Sequence, residues 1–69
     1  MKPSRKNIPA IDSNWLYKND DSTIYTVESV SKGAGTMRGQ LFINYVAPDG
    51  WLYCRTIEDF AERMMELPQ

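Results

Sequence analysis

A chain of 69 residues, 42% hydrophobic and 25% charged, has room for one domain, and its Trp, Tyr, Phe, Ile and Val content is too high for disorder throughout. It contains no histidine and a single cysteine, Cys54. That removes the commonest metal ligand, the usual neutral-pH proton shuttle and any intramolecular disulfide. The net charge of −1 is unevenly spread: residues 1–11 hold Lys2, Arg5 and Lys6 and no acid, whereas residues 12–69 hold five basic and nine acidic side chains. An acidic body argues against a face that binds duplex nucleic acid.

Residues 1–13 combine this basic charge with Pro3, Pro9, Ser4, Asn7 and Ser13, and read as a flexible basic arm. Ile8, Pro9 and Ile11 are its candidate anchors on a single domain spanning 14–69. No apolar core follows the basic residues, so the segment is not read as a signal peptide. No apolar run approaches the ~20 residues of a membrane helix, and the expected location is cytoplasmic.

Trp15 to Tyr17 is predicted as a brief strand. "KNDDS", residues 18–22, reads as a turn, because Asn and Asp tolerate left-handed backbone and bond their own main chain. It lacks the alternating spacing and closing Glu of a calcium loop. Thr23 to Val30 is β-branched and aromatic, hence a strand, with Tyr25 and Val27 on one face and Ile24 and Thr26 on the other. "SKGAGTMRGQ" breaks it. Without a Gly-Lys-Ser/Thr ending or a following helix signal it is no Walker loop, and it reads as a mobile connection.

Gln40 to Ala47 is the next strand, apolar on both faces. Pro48, Asp49 and Gly50 carry the turn: Pro presets φ and Gly takes the left-handed position of a bulge. Trp51 to Thr56 then returns antiparallel. A three-residue loop sets Val46 opposite Leu52, Tyr45 opposite Tyr53, Asn44 opposite Cys54 and Ile43 opposite Arg55, whereas a four-residue loop would set Val46 opposite Trp51. One side therefore carries Phe42, Asn44, Val46, Leu52 and Cys54, and the other Leu41, Ile43, Tyr45, Trp51, Tyr53 and Arg55. The first side, smaller and aliphatic, reads as the interior of a curved sheet, and Cys54 as a buried structural thiol.

The last element is a helix over about 57–67. Thr56 is its N-cap, and Ile57, Phe60, Ala61, Met64 and Leu67 form one stripe. Burial at about 1.5–3 kcal/mol per large side chain requires that stripe to dock on the sheet. Two readings of the aromatic side compete. In one, the helix covers it and Arg55 pairs with Glu58 or Asp59. In the other, Trp51, Tyr53, Tyr45 and Arg55 form a partner-binding surface, since Tyr, Trp and Arg are the usual interface anchors. Trp51, nearest the turn, is the residue expected to escape burial.

The order Tyr25-x-Val27, variable loop, apolar Phe42 to Val46, Tyr53-x-Arg55 and then Phe60 resembles a group of small bacterial and phage domains of unknown function. Their plan is G-x-Y-x-V followed by W-x-R-P-x-x-x-F on an SH3-like or Tudor-like barrel. The chain departs from it with Thr56 at the Pro position and Ser22-Thr23-Ile24 near the Gly. The resemblance implies a fold and a bacterial or phage-infected host cell, and no catalytic residue.

The expected class is α+β, mainly β: a small bent antiparallel sheet or SH3-like barrel of three to five strands with a C-terminal helix, a form that manages sheet edges in a short chain. The expected function is a non-enzymatic binding module, without cofactor or metal, that takes a protein partner and modulates a host protein; homodimerisation is compatible with the pattern. The alternative is a nucleic-acid-binding module that stacks bases on the hairpin aromatics, with Lys2, Arg5, Lys6, Lys32 and Arg38 as candidate phosphate contacts. An enzyme would need carboxylates alone, and no pair is suitably spaced.

Overall fold

β-Branched and aromatic residues between 20 and 32 build one long strand, and the rest of the molecule is arranged around it. In the computed structural model, which describes residues 8–68 apart from the Asp21 side chain, the strands are β1 (Asn14–Tyr17), β2 (Asp20–Lys32), β3 (Leu41–Val46), β4 (Leu52–Thr56) and β5 (Met64–Glu66). A single helix among the described residues, α1 (Ile57–Arg63), joins β4 to β5. All strands belong to one antiparallel sheet in the order β4-β3-β2-β1-β5. The class is therefore α+β, mainly β.

β2 serves two neighbours in succession. Its first half pairs with β1 and its second half with β3, and the two meet at Thr26, which faces both Asn14 and Val46. Between Val27 and Ser29 the register slips by one residue, so Glu28 is extra. Such a bulge bends the strand and resets which side each later residue faces. Because of it, Val27 opposite Tyr45 and Val30 opposite Ile43 both turn inward, although an unbroken strand would have sent Val30 outward.

The core consists of Val27, Ile43, Tyr45, Ile57, Phe60 and Met64, with Trp15, Tyr17, Tyr25, Val30 and Leu41 packed around it. Phe60 meets the ring of Trp15 at 4.8 Å and that of Tyr45 at 5.3 Å, both edge-on. Edge-to-face pairs of this kind add to the stabilisation from area burial.

The helix is shorter than the apolar stripe predicts. Thr56 caps it, its Oγ1 accepting from the Asp59 N–H at 3.2 Å, but the chain turns extended at Met64 and pairs with β1. Tyr17 then faces Met64, Leu16 faces Met65, and Leu67 N–H donates to the Asn14 carbonyl at 2.9 Å. Seven residues make a helix with little intrinsic stability, so strand pairing with β1 sets where it stops. Met64 is buried in either form; Ala61, the stripe's small member, is exposed.

Further expectations are corrected. The turn at 18–22 is confined to Lys18 and Asn19, and β2 starts at Asp20, whose carboxylate accepts from the N–H and Oγ of Ser22. The far end of the basic arm is held down, and mainly by backbone. Asp12 N–H donates to the Val27 carbonyl at 2.8 Å, Val27 N–H donates to the Ser13 carbonyl at 2.9 Å, and Trp15 Nε1 donates to the fully buried Ser13 Oγ at 2.8 Å. Of the three candidate anchors only Pro9 is buried; Ile8 and Ile11 are exposed. Lys2, Arg5, Lys6 and the rest of residues 1–7 lie outside the described residues.

Candidate interaction surface

The β3–β4 hairpin is built by its turn. Gly50 adopts φ +93 and donates to the Ala47 carbonyl, Ala47 N–H donates to the Trp51 carbonyl at 2.9 Å, and the Asp49 carboxylate accepts from Trp51 N–H at 3.0 Å. The pairing that follows is the one a three-residue loop predicts, from Val46 opposite Leu52 to Ile43 opposite Arg55.

Of the two readings of the aromatic side, the structure shows the one in which the helix covers it; the aliphatic side, read as interior, is the corrected one. Ile43 and Tyr45, on the aromatic side, are 0% and 2% exposed, whereas Leu52 on the other side is 55% exposed and Cys54 is also exposed. The aliphatic side is thus outer surface, because α1 docks on the aromatic side, where Phe60 meets Tyr45. A fold this small has one helix to cover one face, and the larger aromatic groups give more area to bury.

Within the covered side, the tyrosines form a chain of ring contacts. Tyr25 lies edge-on to Tyr17 and Tyr45, each at 5.5 Å, and to Tyr53 at 6.2 Å, while Tyr45 and Tyr53 stack at 5.8 Å. Arg55 closes one end. Its Nε donates to the Tyr45 hydroxyl at 3.0 Å, its terminal nitrogens donate to Tyr17 Oη and Asp59 Oδ2, and its guanidinium carbon lies 5.1 Å from the centre of the Tyr17 ring. Asp59 also accepts from Arg63 Nε at 3.1 Å.

The electrostatics follow from these contacts. Burial pushes the Tyr45 phenol up to about 12, its contact with Tyr17 adding to the rise and Arg55 opposing it. Burial would raise Tyr17 as well, but its contacts with Arg55 and Tyr45 and the guanidinium charge together hold it below the ordinary phenol value. The Arg55 guanidinium keeps the Asp59 carboxyl below the usual carboxylate range, against the opposing effect of desolvation and with help from Arg63.

Of the four hairpin residues singled out in the sequence, two are internal. Tyr45 is core, and Arg55 has its donors engaged by Tyr45, Tyr17 and Asp59. Trp51 and Tyr53 remain at the surface, 69% and 45% exposed, and Leu52 is exposed on the opposite side of the hairpin. Sequence reasoning missed Leu52 as surface and Tyr17 as a partner of Arg55; of the two acids it named for Arg55, Glu58 and Asp59, the structure pairs Asp59. The signal for Asp59 was present in its i,i+4 spacing from Arg55. Lys32 and Arg38 come together at the far end of β3, across Leu41 from the turn, about 17–20 Å along the strand from Trp51.

Among the described residues no three His, Cys, Asp or Glu side chains gather into a metal-binding group, and no helix is long and apolar enough to cross a membrane. Comparison of the chain with protein-family models, with curated proteins and with solved structures gave no match.

Proposed function

We propose that the protein is a non-enzymatic binding module that takes a protein partner on the hairpin surface formed by Trp51 and Tyr53. One observation carries the reading: Trp51 and Tyr53, two aromatic side chains on the same side of the hairpin, stand exposed at 69% and 45% on a hairpin whose base is locked into the core. Exposed apolar groups of this size, clustered and rigidly held, mark interaction surfaces more often than neutral exterior. Rigidity matters because less side-chain and loop entropy is lost on association.

The fold we propose for this module is an SH3-like barrel. In support, β1 pairs with both β2 and β5, the long β2 is shared between β1 and β3 and is bent at Glu28, and a short helix connects β4 to β5. The resemblance to small bacterial and phage domains points the same way and rests on the residues quoted above.

The test is quantitative affinity capture from host lysate with the wild-type chain, Trp51→Ala and an Ile24→Ala control; Ile24 is exposed on β2, outside the β3–β4 hairpin, and alternates with Tyr25 of the aromatic side. The expected result is a partner recovered with wild type and Ile24→Ala and depleted roughly tenfold or more with Trp51→Ala. Equal recovery of every protein by all three chains removes the hairpin as the binding surface.

A further inference from the structure

The connection between β2 and β3, read from sequence as mobile, is a folded turn. Gly33 N–H donates to the Gln40 carbonyl at 2.8 Å, Met37 N–H to Ala34 at 2.9 Å, and Arg38 and Gln40 N–H groups to Gly35 and Met37 at 3.1 Å each. Residues Gly35–Met37 make one 3-10 turn. Gly33 is required by contact, since a Cβ there would stand 2.3 Å from the Met37 carbonyl oxygen. Gly39 is required by conformation, at φ +92.

The consequence of this folding is a cavity of about 300 Å³ lined by Lys32, Gly33, Arg38, Gly39, Gln40 and Leu41. No carboxylate lines it. Of the cations in the described residues, Arg55 and Arg63 both bind Asp59, and Lys18 lines a separate hollow beside Glu62. Lys32 and Arg38 form no ion pair with the described residues, and the turn brings both to this one cavity. In a chain of net charge −1, two cations without local counter-charge on one small hollow make a local positive site.

We propose that this cavity binds a phosphoryl group, with Lys32 and Arg38 as its charged contacts. The planar guanidinium offers a fork of donors matched to two phosphate oxygens, and the ammonium is a compact point charge for a third. Gln40 offers a neutral amide donor in the same lining. The glycine and Leu41 walls are apolar, which reduces the local dielectric and strengthens the ion contact relative to open surface. A phosphate monoester, close to a dianion at neutral pH, satisfies both cations at once; a carboxylate or a single backbone phosphodiester, each a monoanion, does so only in part. The volume is at the low end of small-ligand sites, with room for a phosphoryl group and part of the molecule that carries it. The site differs from a Walker loop: side chains supply the charge, and no helix N-terminus takes part. It is also distinct from the hairpin surface, so the two proposals stand or fall separately.

The phosphoryl group has two sources, a small phosphorylated molecule or a nucleic-acid backbone. Amide and Arg Nε resonances of the full chain are followed by NMR while inorganic phosphate, glycerol phosphate or a short oligothymidylate is added at constant ionic strength, with sodium chloride as the reference. Saturable shifts confined to residues 32–41 are expected with phosphate, weakened roughly tenfold in Lys32→Gln and in Arg38→Gln and abolished in the double variant. Both side chains are exposed, so the variants keep the wild-type fold, which unchanged shifts elsewhere verify. Tighter saturation by the oligonucleotide than by glycerol phosphate identifies the polymer as source, and the reverse identifies a small molecule. Shifts that match sodium chloride, or that persist in the double variant, overturn the proposal.

Discussion

Arg55 on β4 binds Asp59, one turn into α1, and the same guanidinium holds the hydroxyls of Tyr17 on β1 and Tyr45 on β3. Three strands and the helix are thereby fastened at one side chain. Replacing Arg55 by Ala leaves the buried Tyr45 hydroxyl without this donor, and an orphaned buried polar group costs about 1–3 kcal/mol. Arg55→Ala is therefore expected to lower the unfolding free energy by that amount, read as a lower denaturation midpoint at unchanged slope, whereas Arg55→Ala/Tyr45→Phe recovers part of the loss. A loss no smaller in the double variant contradicts the assignment.

The ion pair makes stability sensitive to acid. The Asp59 carboxyl is held below its unfolded value, so its contribution is present above about pH 4 and disappears as pH falls through the lower, folded value. The melting temperature of the wild type should fall over that acidic window. Asp59→Asn, lacking the titrating group, should show a shallower acidic limb.

At the alkaline end the order of tyrosine ionisation is informative. Tyr45, raised to about 12, favours the folded state below the ordinary phenol value near 10, and this contribution is lost as pH rises from about 10 to about 12. Tyr17 is shifted downward and ionises first. Tyrosinate absorbance should rise in separate early and late steps, with Tyr17→Phe removing from the early step and Tyr45→Phe from the late one. A single step unaffected by either variant contradicts this order.

Phe60, 1% exposed between Trp15 and Tyr45, is the helix's main hold on the sheet. Phe→Ala in a core costs about 3–5 kcal/mol, comparable with the whole stability of a domain this small, so Phe60→Ala should be largely unfolded. Phe60→Leu, which keeps most of the volume, should cost roughly 1–1.5 kcal/mol and retain the native spectrum in near-ultraviolet circular dichroism.

Gly33→Ala and Gly39→Ala separate contact from conformation in the β2–β3 turn. At Gly33 the added methyl meets backbone, and the turn must open at about 1–3 kcal/mol. At Gly39 nothing lies within 4 Å, and the cost is the left-handed backbone alone, about 1 kcal/mol. Hydrogen exchange at the Gln40 amide, bonded to Met37, should accelerate more in Gly33→Ala.

The two kinds of feature that were and were not readable differ in range. Pro48, Asp49 and Gly50 act on their own backbone, so the hairpin register, the left-handed Gly50 and the exposed Trp51 follow from adjacent residues. The Thr56 cap is equally local. The inward Val30 was not readable, because the bulge at Glu28 carries no Gly or other mark and exists to fit β2 against two neighbours. Nor was the end of α1, since Met64 to Leu67 suits helix or strand by pattern and pairing with β1 decides between them.

Interactions within a few residues make the chain a mainly β fold with a capped helix and close its hairpin through Pro48, Asp49 and Gly50. Which face of that hairpin is inside is a matter of long-range packing. Both faces are apolar enough to be buried, and the choice rests on where α1, tied back by Arg55 and Asp59, comes to lie; that same choice leaves Leu52 and Cys54 outside and Tyr45 in the core.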